Sequence, residues 1–399
     1  MAPSRRPAVG PGRPRTRVLV DGTSGRTPAG APLRSVGGLF PRITDPAALL
    51  AAVDRTLRGK RHRPEGAWLF FRREEVALRL ATALAAETWQ PAPCEPLLIR
   101  DPKPRVIARS PIEDRVVHTA LMTALWPAIE RRLMPENHAC RPGFGTHRAV
   151  LALLRLKRRH RFALHLDVRA FFPSVQVERL HALLAAFVRE PPVLALVGRI
   201  LDQGTTLYRR TDVRAFMGLP ADWPPPGRGL PIGALTSQIL ATHVYLSGLD
   251  AWVKRTLRVP GYVRYVDDLF MFSDDRRQLR RIRTDLGVWL EAERGLRLKR
   301  PDAPVIHRGE VLHGLGHAVS TAGAQPLPRA WRRLGQRVTS ALGGAPNDVE
   351  RSLAAHLGLL VPPAPAAQDA ARRIHEGGGV QQARRGEPAD GLSQPQQDP

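Results

Sequence analysis

"GYVRYVDDLFMFSDD", Gly261–Asp275, is the stretch from which the fold is read. Aromatic and branched residues on both sides of a short break are the pattern of two paired strands joined by a tight turn. The break falls at Asp267 and Asp268, so the expected hairpin carries an Asp-Asp tip. Two carboxylates ~4 Å apart repel by about 4 kcal/mol at an effective dielectric of 20. Left alone, one of them would keep its proton. A divalent cation removes that cost, and hard cations such as Mg²⁺ take oxygen ligands. A solvated turn that happens to be Asp-Asp is the plainer reading, so a further carboxylate is needed to decide.

"FALHLDVRAFFPSV", Phe162–Val175, supplies it, because Asp167 closes an apolar strand. Asp167, Asp267 and Asp268 then form a three-carboxylate set on two strands. Such a set suits two Mg²⁺ ions ~3.5–4 Å apart, with Mn²⁺ as a substitute, and the chemistry is phosphoryl transfer.

Around these strands the pattern is mixed. Helical spacing marks "DPAALLAAVDRTLR", "REEVALRLATALAAETW", "PIEDRVVHTALMTALWPAIERRL", "RAVLALLRLKRRH" and "RRQLRRIRTDLGVWLEAER". One helix introduced by Ser174 is expected in "SVQVERLHALLAAFV", and another across "GALTSQILATHVYLSGLDAWVKRTL". "EPLLIRDPKPRVIARS" reads as two strands with a turn at Asp101–Pro104, while "LRLK" and "VLHGLGHAV" read as short strands. Residues 204–228 are rich in Pro and Gly and read as an irregular loop, and 328–360 as helical. Adjacent hairpin strands among helices indicate an α+β fold rather than a doubly wound sheet. Residues 1–43 and 362–399 read as disordered tails, the first of them basic.

The 399 residues carry 61 Lys plus Arg against 36 Asp plus Glu, a net +25. That excess suits a polyanionic partner, although a bias toward Arg codons would produce it too. Two cysteines, Cys94 and Cys140, exclude a disulfide framework. No segment resembles a signal peptide or reaches the ~18 apolar residues of a membrane span, so no membrane role and a cytoplasmic location are expected.

"FALHLDVRAFFPSV", "GLPIGALTSQ" (Gly229–Gln238) and "YVRYVDDLFMFS" resemble, in order, motifs A, B and C of the palm of reverse transcriptases. "KPRVIARSPIEDRVVHTAL" and "ACRPGFGTH" resemble the fingers segments of bacterial, group II intron-like members, and "LRLK" and "LGH" the D and E motifs. The resemblance implies a right-hand polymerase with fingers at 44–160, a palm of antiparallel sheet plus helices at 161–320, and a short helical thumb at 321–361.

By the same resemblance, Asp167, Asp267 and Asp268 are the catalytic, metal-binding aspartates, with Asp267 the firmer ligand because strand alternation turns Asp268 away. Phe172 matches the gate beneath the sugar 2′ position, although Phe171 could exchange roles with it. Arg105 matches the arginine on the incoming triphosphate. Lys299 matches a lysine that donates a proton to pyrophosphate, a solvated strand-end lysine being the alternative. Arg115, with Asp114, reads as structural. Arg155, Lys157, Arg158 and Arg159 could follow a template backbone, or simply form a solvated helix end.

Motif B departs from its usual Pro-Gln-Gly and Ser-Pro, with Ile232 before Gly233 and Gln238 after Ser237. Both changes resemble diversity-generating retroelement enzymes, error-prone members that work with a small basic accessory protein. Motif E has Gly314 where an aromatic is usual. The implied activity is RNA-directed DNA synthesis from dNTPs on an RNA template with a DNA or RNA primer. The alternatives are a group II intron or retron-type enzyme, and an inactive nucleic-acid-binding relic, whose mark would be a lost aspartate.

Overall fold

The computed structural model describes residues 35–100, 104–220 and 222–342. Its first layer is helical: α1 (Leu39–Thr44), α2 (Pro46–Leu57), α3 (Pro64–Phe71) and α4 (Arg73–Ala85). The expected basic tail therefore ends earlier than residue 43. Val36 donates its amide to Phe187, Leu39 and Ile43 are fully buried, and the Glu190 carboxylate accepts both free amides at the start of α1 at 2.8 Å. Asp45 caps α2 through the Ala48 amide. The remainder of both tails, and everything of the expected thumb after Leu342, lies outside the described residues.

Strands β1 (Glu95–Ile99) and β2 (Arg105–Arg109) pair antiparallel, and α5 (Ile112–Glu130) follows, buried against α1, α2 and α3. Asp114 accepts the Ala92 amide and Arg115 bonds Glu65 and the Ser110 carbonyl, a structural role for both. Next come α6 (Thr146–Arg159), β3 (Phe162–Asp167), α7 (Phe171–Ser174), α8 (Val177–Ala185), α9 (Pro191–Leu207) and α10 (Thr211–Met217). Two expectations fail here. Ser174 closes α7 instead of opening a long helix, since Val175 and Gln176 are extended before α8. Residues 204–217 are largely helical, and only the stretch beyond Met217 is irregular. Gly204 sits inside α9 because Pro231 packs where its Cβ would stand.

The long helix expected at 233–257 is broken. Helix α11 (Leu235–Ile239) runs into a π-helical stretch, Leu240–Tyr245. Gly248, at φ 82, restarts the chain as α12 (Leu249–Ala251), followed by a second π stretch, Trp252–Thr256. Strands β4 (Gly261–Tyr265) and β5 (Asp268–Ser273), helix α13 (Arg276–Arg294), β6 (Val305–His307), β7 (Leu312–Gly314), β8 (His317–Val319), β9 (Ala324–Pro326) and α14 (Pro328–Leu342) complete the described chain. "LRLK" is not a strand. Leu298 makes one isolated bridge to Val168, and β6 takes the edge position instead.

The central sheet has the order β4-β5-β3-β6, every pair antiparallel. Alternation gives it two buried faces. Leu164, Leu166, Leu269 and Met271 join the main core, while Ala163, Val263, Phe270 and Phe272 join Leu153 of α6 and Leu312 and Val319 of the β7–β9 sheet. Gly261 is demanded by that second face, since a Cβ there would lie 2.9 Å from Leu156 Cδ2 and Phe272 Cβ.

A buried ion pair ties these layers together. Arg264 is 1% exposed, and its Nε and Nη2 donate to Asp250 Oδ1 and Oδ2 at 2.6 and 2.8 Å. Its Nη1 donates to the carbonyls of Thr242 (2.8 Å) and Val266 (3.2 Å). Tyr262 Oη adds a bond to Asp250 Oδ1. The Arg264 backbone pairs with Glu136 and His138, so the segment before α6 is held by the same residue. Removing one partner of a buried pair strands the other charge and costs about 3–5 kcal/mol. Asp250→Ala should therefore lower the thermal midpoint by several degrees, whereas Asp250→Leu combined with Arg264→Met should cost less than the two single changes summed. Thermal melts of the wild type and the four variants check this.

Candidate active site

Sheet register places the carboxylates. Asp167 ends β3 directly opposite Asp268, which opens β5 and pairs with Tyr265 of β4. The hairpin tip is thus Val266-Asp267, not Asp-Asp. Val266 has φ 57, a left-handed conformation that a β-branched residue adopts only when its surroundings impose it. The bond from Arg264 Nη1 to the Val266 carbonyl is part of that imposition. Tyr265 is anchored in turn, its hydroxyl 2.9 Å from Thr146 Oγ1 at the start of α6.

Asp267 is pushed up to about 7, first by burial and then by the charges of Asp268 and Asp167, with a hydrogen bond to Asp167 favouring the protonated form. Lys299 reaches the same place: its ammonium pairs with Asp167 Oδ2 and its amide donates to the Asp167 carbonyl at 2.8 Å. Asp268, opposite Asp167, has a partner of its own. Its Oδ1 lies 2.7 Å from His165 Nε2, and the imidazole stacks on Phe270 at 4.3 Å.

This donor set fits a divalent cation at Asp167 and Asp267, where an ammonium already neutralises part of the charge. Asp268 faces His165, and among the described residues no group of three His, Cys, Asp or Glu side chains could hold a metal ion. The three carboxylates expected from the sequence lie close together, Asp167 opposite Asp268 and Asp267 under the charges of both.

Motif B is tied by backbone contacts to the segment that follows Asp167 and to β2. Leu230 donates to the Phe172 carbonyl at 2.9 Å and Gly229 to Val175 at 3.0 Å. The Ile232 carbonyl accepts the Ala108 amide of β2 at 2.7 Å, pinning the β1–β2 hairpin to this loop. Gly233, at φ 111, has no room for a side chain, because a Cβ would stand 2.5 Å from Ile107 Cγ2. Phe171 is buried in the core, and Phe172 is half-buried against it with the rings 5.2 Å apart, so Phe172 is the one available to a ligand. Gln238 and Arg105 are exposed, Arg105 at the far end of β2 from the Ile232 contact.

The basic helix end divides. Lys157 is 1% exposed and donates to the His307 carbonyl, so it is no phosphate ligand; burial lowers its ammonium pKa. Arg158 bonds the carbonyls of Thr321 and Ala322. Arg155 and Arg159 are exposed. The departure in motif E has a packing cause: a Cβ on Gly314 would lie 2.5 Å from the Phe270 ring, which occupies the space of an aromatic there.

Sequence reading missed Arg264, Asp250 and His165. A signal existed for two of them. An arginine inside an apolar strand needs a buried acid, and His165 shares a strand face with Asp167 by period-2 alternation.

A carboxyl whose folded pKa is raised binds more protons folded than unfolded, so stability is lost as pH rises from about 4 through 7. In metal-free buffer the melting midpoint should fall across that window. Asp267→Asn should flatten the slope, and added Mg²⁺ should restore the midpoint of wild type but not of the variant.

Residues 100–301 match the family model for reverse transcriptase (RNA-dependent DNA polymerase). A curated relative, the retron Mx65 reverse transcriptase of Myxococcus xanthus, is 29% identical over 248 residues, 58% of this chain. The chain spans about half the length of that relative, 54% of it. Among solved structures, apo telomerase from Candida tropicalis covers 72% of this chain and 59% of its own at 10% identity with a TM-score of 0.44. A partial Cas6-RT-Cas1–Cas2 complex covers 64% and 43% at 16% identity and 0.35. The matched half of the chain contains Asp167, the whole of motif B, the Tyr265–Asp268 turn and Lys299, and with it this protein belongs to the reverse transcriptase family.

Proposed function

We propose that this chain is an RNA-directed DNA polymerase that extends a DNA or RNA primer with dNTPs on an RNA template. The observation that carries the reading is the crowded carboxylate pair, Asp167 and Asp267, at the end of the sheet beside Lys299. Bound Mg²⁺ would supply charge neutralisation and an activated primer hydroxyl. The chain's own groups do the rest. Asp167 and Asp267 hold the cation, and Lys299 is the protonated group beside them, suited to meet the leaving pyrophosphate. Arg105 on β2 offers a forked donor for the triphosphate, and Phe172 provides a flat wall for the sugar. Asp268, opposite Asp167 on the same face of the sheet, is held by His165. Of the four basic residues expected to follow a template backbone, Arg155 and Arg159 are the ones left for that role.

The alignment with a retron enzyme favours a retron-type reverse transcriptase. Ile232 and Gln238 favour the second reading, a diversity-generating retroelement enzyme with a small basic accessory protein. No described helix is long and apolar enough to cross a membrane, and a cytoplasmic setting accords with the proposed substrates.

Primer extension with Mg²⁺ tests the first reading. Asp267→Asn removes one metal-binding charge at constant size and should lower the rate more than tenfold, while RNA affinity stays within about twofold. An active variant would sink the metal assignment.

Sequencing of cDNA made from one defined RNA tests the second. Ile232 offers volume without a hydrogen bond beside the expected nascent pair. One such bond is worth about 0.5–1.5 kcal/mol, or roughly 2- to 13-fold in discrimination. Ile232→Gln should reduce misincorporation opposite adenine by about that factor. Equal error spectra would remove motif B as a source of infidelity, and with it the retroelement reading.

A further inference from the structure

Helix α3 carries aromatic rings that the fold does not use. Phe71 is 82% exposed and Trp68, three residues earlier on the same helical face, is 41% exposed, although Leu69 between them is fully buried. Guanidinium groups interleave with the rings. Arg72 lies 5.5 Å from the Trp68 centroid, and Arg61 and Arg73 lie 4.7 and 5.6 Å from Phe70, whose ring meets Phe71 edge-on at 5.6 Å. A folded chain exposes an isolated aromatic without consequence, but adjacent rings flanked by planar cations are the composition of a stacking platform.

The setting is cationic and held in shape. Between residues 54 and 75 there are seven Lys and Arg against four Asp and Glu. Three of the acids are already matched: Asp54 to Arg61, Glu74 to Arg73, and Glu65 to Arg109 and Arg115. The loop Arg58–Arg63 is folded against α3, for the Lys60 carbonyl accepts the Arg63 amide and fills the space of any side chain at Gly66. Glu65, at the start of α3, binds Arg109 of β2, the strand that meets motif B at Ala108. The platform is thus attached to the hairpin that borders the polymerase site.

We propose that Trp68 and Phe71, with Arg72 and the Arg58–Arg63 loop, bind single-stranded RNA by base stacking and phosphate pairing. The proposal rests on the reading of the chain as an RNA-copying enzyme and adds a second contact for the strand outside the catalytic cleft. Duplex is excluded by chemistry, because paired bases hide the faces that rings stack upon. A protein partner would face a rim of arginines whose acidic neighbours are already paired.

Fluorescence anisotropy of the full chain with a labelled 12-nucleotide mixed-sequence RNA and with a blunt RNA–DNA hybrid separates the outcomes. Stacking contributes about 1–3 kcal/mol per base, or roughly 5- to 150-fold per ring. Trp68→Ala with Phe71→Ala should weaken binding of the single strand at least tenfold and leave the hybrid within twofold. Trp68→Phe with Phe71→Tyr should restore most of the affinity. Arg72→Ala should reduce the salt slope by about 0.7, and the double aromatic variant should leave it unchanged. Equal losses on both nucleic acids, or no loss on either, would overturn the proposal. So would a wild-type dimer in size exclusion that becomes monomeric in the variant, which would make this face a contact between copies. A wild-type chain that binds RNA as described but extends no primer would defeat the polymerase reading and leave the platform standing.

Discussion

The buried pair between Arg264 and Asp250 is the constraint on which the site depends. Removing two charges from water is costly unless geometry and hydrogen bonding compensate, and here four guanidinium bonds and a tyrosine hydroxyl do so. Each acceptor belongs to a different piece of chain. Asp250 fixes α12, Thr242 fixes the first π stretch, and the Val266 carbonyl fixes the turn that carries Asp267. The Arg264 backbone adds the segment before α6. One side chain therefore registers the strand, the broken helix after motif B and the carboxylate turn against one another.

That rigidity is needed because the turn is unfavourable by itself. Val266 is held at positive φ, and Asp267 is crowded by two carboxylates in a partly buried place. Both features cost stability and persist only where the surroundings over-determine them. The relief is electrostatic. Lys299 sits on Asp167 and His165 on Asp268, so each outer carboxylate has a partner in the free protein while Asp267, between them, keeps a raised pKa. These two partners keep the three carboxylates together at one end of the sheet.

The glycines show how packing rewrites motifs. Gly233 lets β2 approach motif B, Gly204 makes room for Pro231, and Gly314 yields to the Phe270 ring. Phe270 also supports His165, so the loss of an aromatic in motif E and the pairing of Asp268 have a shared physical origin in one side chain.

Much was legible in the sequence alone, because it depends on local periodicity and residue chemistry. The α+β class, the β1–β2 and β4–β5 hairpins, the strand ending at Asp167, and helices α2, α4, α5, α6 and α13 all follow from spacing. Asp167 and Asp267 were chosen with Asp268 as a carboxylate set and Lys299 by the motif resemblance, and the structure gathers Asp167, Asp267 and Lys299 at one end of the sheet. What periodicity cannot carry is long-range contact. The true turn residues, Val266 and Asp267, were set by the register of β4 on β5, which pairs Tyr265 with Asp268. The break after motif B was set by Arg264 reaching across to Thr242 and Asp250, and the burial of Lys157 by the approach of His307 from 150 residues away. The contact of Asp268 with His165 was likewise decided by pairing, since β5 sets Asp268 opposite Asp167, and His165 lies two residues back on the same face of β3.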